Sequence, residues 1–137
     1  MAELVVTPAN VAAYAGADVD HGEIAGEDIT AGQVIYKAAD GAFYATAYDT
    51  AEHAAAYGVA LNSAAAGQPL SIIRSGGLNP GAAVVVGAVY VVGSMDGAIA
   101  PVTDLVAGEY LTLLGIATTT SRIDLAINRS GVNAPVT

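Results

Sequence analysis

The chain contains neither cysteine nor tryptophan among its 137 residues. Without cysteine there are no disulfide bonds and no thiolate metal sites, and cysteine usage gives no clue to the redox compartment. Charged residues are also scarce, at 12% of the chain against about a quarter in an average soluble domain. Because hydrophobic residues make up 54%, we expect much of the surface to be buried against further copies of the chain or against another protein.

Basic residues are the rarest charged class. Lys37, Arg74, Arg122 and Arg129 stand against thirteen acidic residues, which gives a formal net charge of −9. Such a chain repels phosphate backbones and anionic lipid surfaces, so we predict no nucleic-acid partner and no membrane partner. The longest apolar run, residues 81–93, is shorter than the roughly 20 residues that span a bilayer. No basic segment precedes an apolar one near the N-terminus, so no export signal is expected.

Motifs for catalysis and cofactor binding are missing as well. His21 and His53 belong to no metal-binding or catalytic motif, and the glycines form neither a dinucleotide-binding nor a phosphate-binding loop. We therefore predict no enzyme activity, no catalytic residue and no cofactor.

An acidic segment, residues 18–28, gathers five carboxylates and one histidine. These are enough oxygen ligands for Ca²⁺ in principle, but their spacing is not that of an EF-hand loop. A solvated acidic loop is the preferred interpretation, so no metal ligands are predicted, and a Ca²⁺ site is the alternative.

What the chain does contain is an internal repeat. Three phrases recur in the same order at similar spacing: GQVIYKAADGA with GAVYVVGSMDGA, YGVAL with LGIAT, and LSIIRSG with LAINRSG. We predict two tandem β units of about fifty residues, 31–77 and 78–137, preceded by an extended N-terminal arm, residues 1–30.

Each unit carries signals for four strands. VIYKA and AVYVV lead into Asp40-Gly41 and Asp96-Gly97, pairs that favour type I′ hairpin turns. The second strands are AFYATAY and AIAPV, the third YGVAL and LTLLGIA, and the fourth PLSIIR and IDLAIN. One helical turn is expected at residues 50–55. We predict an all-β fold in which the two units close their exposed edges on each other as a small barrel or sandwich.

Two arginines occupy equivalent places in the repeat. Arg74 and Arg129 each end a predicted fourth strand and are each followed by Ser-Gly, a turn signal. We expect each to make a structural ion pair or a carbonyl contact, and a binding role is the alternative.

Aromatic residues concentrate in the first unit, as Tyr36, Phe43, Tyr44, Tyr48 and Tyr57. Packing in the core or between subunits is the preferred interpretation. A platform on which a carbohydrate stacks is the alternative.

The chain resembles small decoration or head-fibre-type proteins of tailed bacteriophages over residues 24–135. The phrases that carry the resemblance are ITAGQVIYKAADGAFYAT, YGVALNSAAAGQPLSI, GAVYVVGSMDGAIAPVTDL, EYLTLLGIATTTSRIDLAI and SGVNAP. The resemblance implies an all-β homotrimer on the outer surface of an icosahedral capsid, where it bridges subunits of the major capsid protein and stabilises the shell. Its implied partners are thus the major capsid protein and further copies of itself.

The N-terminal arm offers a place for the capsid contact. Leu4, Val5 and Val6 form a short apolar stretch before Pro8, and such a segment can gain order on binding. A simple first strand or a disordered tail is the alternative. Two other functions stay open: a carbohydrate- or receptor-binding module on a virion or tail, and a small enzyme, for which no acid–base pair is visible.

Overall fold

A computed structural model describes residues 4–46, 53–93, 97–102 and 110–133. These residues form ten β-strands and no α-helix, so the all-β prediction is confirmed. The strands are β1 (Val11–Ala13), β2 (Asp18–Ile24), β3 (Val34–Lys37), β4 (Phe43–Ala45), β5 (Gly58–Ala60), β6 (Pro69–Pro80), β7 (Val89–Val92), β8 (Ile99–Pro101), β9 (Tyr110–Thr119) and β10 (Arg122–Asn133). A 3₁₀ turn, Pro8–Asn10, precedes β1. In this part of the chain, no helix is long and apolar enough to cross a membrane.

The strands belong to one antiparallel sheet that curls into a half-barrel. Eight of them follow the order β4-β3-β5-β6-β10-β9-β7-β8. This order has the same pattern from either end: a hairpin, then the third strand of a unit, then its fourth strand. The two fourth strands, β6 and β10, pair at the centre. The predicted boundary between residues 77 and 78 falls inside β6, so the two halves share that strand.

β6 organises the sheet because four strands pair with its two edges. One edge carries β1 and then β2, which pair antiparallel with it along its whole length. The other edge carries β5 at Ile72 and Ile73, and β10 from Ser75 to Leu78. β5 and β10 lie on the same edge, and neither pairs with β6 at Arg74. The gap between them at this position is called the notch.

The N-terminal segment is extended but lies along its own chain. Beyond the pairing of β1 and β2, Leu4 N donates a hydrogen bond to Ile99 O at 2.8 Å, and Thr7 N donates to Gly81 O at 2.8 Å. Leu4 and Val11 also pack against the hydrophobic core. Within this segment, Val11–Ala13 and Asp18–Ile24 are strands of the sheet.

The turn at Asp40-Gly41 differs from the predicted type I′ turn, which needs a positive φ at both residues. Only Gly41 has one, at 85°. Gly41 N donates to Ala38 O at 2.9 Å, and Ala38 N donates to Ala42 O at 2.9 Å, the pattern of a three-residue hairpin loop with glycine in the left-handed position. Asp40 instead uses its carboxylate, which accepts hydrogen bonds from Ala42 N at 2.9 Å and Tyr44 Oη at 2.7 Å. Asp96 lies outside the described residues, as do residues 50–52 of the predicted helical turn.

Two hydrophobic cores lie on the two faces of the first unit. Val34, Val59 and Ile73 point into the larger core, which the second unit completes with residues such as Tyr90, Leu114 and Ile123. Their chain neighbours Ile35, Ala60 and Ile72 point to the opposite face, into a smaller core. Residues 25–31 and the loop at 61–68 cover this smaller core, contributing Ala25, Ile29 and Ala64. The first unit therefore has no open apolar face at these strands.

Candidate binding surfaces

Of the four residues predicted to contact a capsid, two are half-buried and two are exposed. Leu4 and Val6 are half-buried, whereas Val5 is 89% exposed and Pro8 is exposed. Val6 lies against Gly32, where an added Cβ would stand 2.6 Å from Val6 Cγ1. A partner that met this segment would therefore find Val5 and Pro8 available but not the neighbouring apolar side chains.

Arg74 lies in the middle of β6 rather than at a strand end. The Ser-Gly that follows it makes an irregularity in the strand instead of a turn: Gly76 has a φ of 95°, and an added Cβ would stand 2.8 Å from Ala17 Cα. The guanidinium stacks on the Tyr57 ring, with Cζ 4.0 Å from the ring centroid. This cation–π contact stands where an ion pair or carbonyl contact was predicted. Arg129 pairs with Thr112 through the backbone of β10, and its side chain lies outside the described part of the structure.

Tyr57 is held in place on its other sides. Its hydroxyl donates to Asp20 Oδ2 at 2.6 Å, and its ring meets the buried Phe43 ring edge-on at 4.8 Å between centroids. The hydrogen bond to Asp20, aided by burial, raises the pKa of Tyr57. At neutral pH Tyr57 therefore remains a hydrogen-bond donor, and Arg74 rests on an immobilised ring.

The notch between β5 and β10 is an open groove of about 590 Å³, within the usual size range of small-molecule sites. It is lined by Asp18, Ala56, Tyr57, Arg74, Ser75, Ala126, Ile127 and Asn128. The lining thus includes a guanidinium, a carboxylate, a hydroxyl and an amide beside three apolar side chains.

A second arginine stacks on a tyrosine at the far end of β6, a contact that the repeat did not predict. Arg122 lies over the Tyr14 ring at 5.0 Å, and its Nε binds Asp124 Oδ1 at 2.8 Å. The guanidinium also covers Gly77, where an added Cβ would lie 2.6 Å from Cζ. Arg122 is thus engaged with its own chain on several sides, in a structural role.

The remaining described tyrosines of the first unit pack on their neighbours. Tyr36 and Tyr44 form a cross-strand pair at 6.0 Å, and Tyr36 also meets His53 at 5.4 Å. The Tyr44 ring lies directly over Gly26, where a Cβ would overlap it. Its hydroxyl bond to Asp40 lowers the pKa of that carboxyl and raises the pKa of Tyr44. Tyr48 lies outside the described residues.

The second unit has an apolar outer face, formed by β7, β9 and β10 and called here the second-unit face. Tyr90, Leu114 and Ile123 point into the core, so the cross-strand row of Val89, Ile116 and Asp124 points outward. A groove of about 480 Å³ follows this row, lined by Val89, Leu113, Gly115, Ile116, Thr118, Asp124 and Ala126.

Exposed apolar side chains lie on this face and in the turn beside β9. Ile116 is 50% exposed, Val85 69% and Val86 59%. The turn that carries the two valines lies beside β9, because Gly87 N donates to Ala117 O at 2.8 Å. In the first unit the loop at 61–68 helps cover the corresponding face, whereas β9 and β10 are joined by residues 120–121 alone.

Metal binding finds no support in the described ranges, which contain no group of three or more His, Asp or Glu residues that could hold an ion. Residues 18–24 of the acidic segment form β2, an edge strand whose Asp18, Asp20 and Glu23 discourage pairing with another chain. No protein-family model, curated protein or solved structure matches the chain, so its function is inferred from these surfaces.

Proposed function

We propose that the protein is a structural, non-enzymatic component of a tailed-phage virion that decorates the outer capsid surface. The observation that carries the proposal is the second-unit face, on which Ile116 is 50% exposed, and its occupant in this proposal is the major capsid protein. The resemblance to phage decoration proteins supplies the partner and the location. The fold supplies a surface suited to protein contact.

The composition of this face favours a protein partner. Ile116 on the face, and Val85 and Val86 in the adjoining turn, each expose half or more of their surface. Burying them in an interface would contribute on the order of 1 kcal/mol each, at about 25 cal/mol per Å² of apolar surface. Small neighbours such as Gly115 and Ala126 leave room for a partner to lie close to the sheet.

The distribution of charge points to the same face. Nine of the thirteen acidic residues precede residue 53. On the described second-unit face the carboxylate is Asp124, and it is already paired with Arg122. A partner docking there would not bury an unpaired charge, which is the costly case.

The first test is genetic. A decoration protein is expected to be encoded beside a major capsid protein, and a genome with no capsid gene near this one would contradict the proposal. The neighbouring capsid protein is then assembled into shells, mixed with the full chain and sedimented, and the shell-bound fraction is measured.

Two variants decide which surface docks. Ile116→Asp places a charge in the second-unit face and should reduce shell binding at least about tenfold, since burying an unpaired carboxylate is strongly unfavourable. Val5→Asp is the matched control on another exposed apolar side chain. If Val5→Asp abolishes binding and Ile116→Asp does not, the N-terminal segment is the contact and the second-unit face is not.

The homotrimer belongs to the same proposal. Light scattering of the purified protein should give a mass near three times 13.5 kDa. A monodisperse monomer at micromolar concentration would contradict the trimer while leaving the capsid test intact.

A further inference from the structure

The notch between β5 and β10 has the features of a small-ligand site, and it adjoins the second-unit face at Ala126, which lines both grooves. It opens where two strands leave the same edge of β6, so the sheet itself creates the concavity. Its polar groups come from four separated parts of the chain, represented by Asp18, Tyr57, Arg74 and Asn128. Side chains from distant segments that converge on one groove are typical of a binding site.

Arg74 is the side chain in this notch that is best placed to bind a ligand. The Tyr57 ring supports its guanidinium, whose Cζ lies 4.0 Å from the ring centroid, and Tyr57 is in turn held by Asp20 and Phe43. In the described part of the chain, the guanidinium makes no hydrogen bond or ion pair. Its N–H donors are therefore oriented and available, unlike those of Arg122, which bind Asp124.

We propose that this notch binds an acidic sugar, whose carboxylate pairs with Arg74. The planar guanidinium matches a carboxylate through two parallel hydrogen bonds. Asp18, Ser75 and Asn128 supply acceptors and donors for sugar hydroxyls, and Ala56, Ala126 and Ile127 form an apolar floor for the C–H face of the ring.

The charges in the notch orient the ligand. Asp18 repels a carboxylate, so the acidic group lies at the Arg74 side and the hydroxyls lie at the Asp18 side. Asp20 already accepts the Tyr57 hydroxyl. The site should therefore prefer a small ligand that carries both a carboxylate and hydroxyls. A neutral sugar or a simple carboxylic acid lacks one of the two.

This site differs from the aromatic platform predicted from the tyrosines. Phe43 is buried, and Tyr57 presents its ring to Arg74 rather than to a ligand. In the notch, polar side chains bind the sugar, and Tyr57 is a positioning residue for Arg74.

The test is an NMR titration of the ¹⁵N-labelled full chain with glucuronate, glucose and acetate at matched ionic strength. Glucuronate should shift the amide signals of Ser75, Ala126 and Asn128. It should bind at least about tenfold more tightly than glucose or acetate, the effect of one charge-assisted bidentate contact.

Substitutions then assign the contacts. Arg74→Lys keeps the charge but removes the planar fork, and it should weaken glucuronate binding about tenfold or more. Arg122→Lys is the matched control, an arginine also stacked on a tyrosine but outside the notch, and it should leave binding unchanged. Asn128→Ala, on an exposed residue, should reduce the preference for glucuronate over acetate.

Three results would overturn the proposal. Equal affinity for glucose and glucuronate would show that Arg74 does not read a carboxylate. Equal affinity for acetate and glucuronate would remove the sugar assignment. Absence of shifts at the notch with any probe up to about 100 mM, a concentration that detects even very weak sites, would show that there is no site. None of these results depends on capsid binding.

Discussion

Two glycines at equivalent places of the repeat, Gly58 and Gly115, should be intolerant of alanine. A Cβ at Gly58 would lie within 3.0 Å of Ile73 O, and one at Gly115 within 3.0 Å of Asp124 O. In both units the third strand therefore approaches a carbonyl of the fourth strand more closely than a side chain allows. Neither glycine has a positive φ, so contact rather than backbone conformation requires glycine.

Gly58→Ala should destabilise the folded state by pushing β5 away from β6. Ordinary contact begins near 3.4 Å, so β5 would move from β6 by about 1 Å, enough to weaken the ladder hydrogen bonds. β5 pairs with β6 at two positions only, and losing two bonds costs about 1–3 kcal/mol. Strain in the fully buried surroundings adds about 1–3 kcal/mol, and the stiffer unfolded chain offsets about 0.4–1 kcal/mol. We expect a net destabilisation of about 1–6 kcal/mol.

Denaturant unfolding followed by circular dichroism measures this change, with thermal unfolding as a second readout. At about 3 °C per kcal/mol, the midpoint should fall by about 3–18 °C. The sign of the change in unfolding free energy distinguishes steric contact in the folded state from an effect on the unfolded chain. The second effect alone would stabilise each variant by about 0.4–1 kcal/mol. A stability equal to or above that of the wild type would refute the close-approach argument.

Two further substitutions test individual contacts. Tyr90→Phe removes the buried hydroxyl that accepts a hydrogen bond from Val85 N at 2.9 Å, and chemical unfolding should show a loss of about 1 kcal/mol; a loss below about 0.3 kcal/mol would mean that water replaces the hydroxyl. Tyr44→Phe removes the main cause of the lowered pKa of Asp40, so an NMR titration should show that pKa rising toward 3.8. Because a lowered folded pKa stabilises above the ordinary value and the gain is lost as pH falls through it, the variant should also lose less stability on acidification. An unchanged Asp40 titration would assign its shift to the loop backbone instead.

Several features of the fold followed from local sequence patterns. β-branched and aromatic runs ended by glycine-containing turns predicted the strands. The recurring phrases match the strand order of the sheet, which has the same pattern from either end. The same local logic failed at Arg74-Ser75-Gly76, where a turn signal lies inside a twelve-residue strand. The positive φ of Gly76 serves there to admit Ala17 of the neighbouring segment, a contact between residues far apart in the chain.

The candidate site was less predictable than the fold. The repeat directed attention to Arg74 and Arg129 as a pair, whereas the described stacking arginines are Arg74 and Arg122. Their tyrosine partners, Tyr57 and Tyr14, are 17 and 108 residues away in sequence, and no spacing rule connects them. The notch exists because β5 and β10 share one edge of β6, a pairing choice that a single sequence does not specify.

By itself, the sequence determined the strand-forming segments, the repeat and the acidic, cysteine-free character of the chain, because these depend on residue type and on neighbours a few positions apart. Tertiary structure decided which strands meet, which arginine rests on which tyrosine, and which apolar side chains of the described residues stay exposed. The first unit has a long loop over its outer face and the second has a two-residue turn. The consequence of that difference appears only once pairings between distant residues have placed both faces in space.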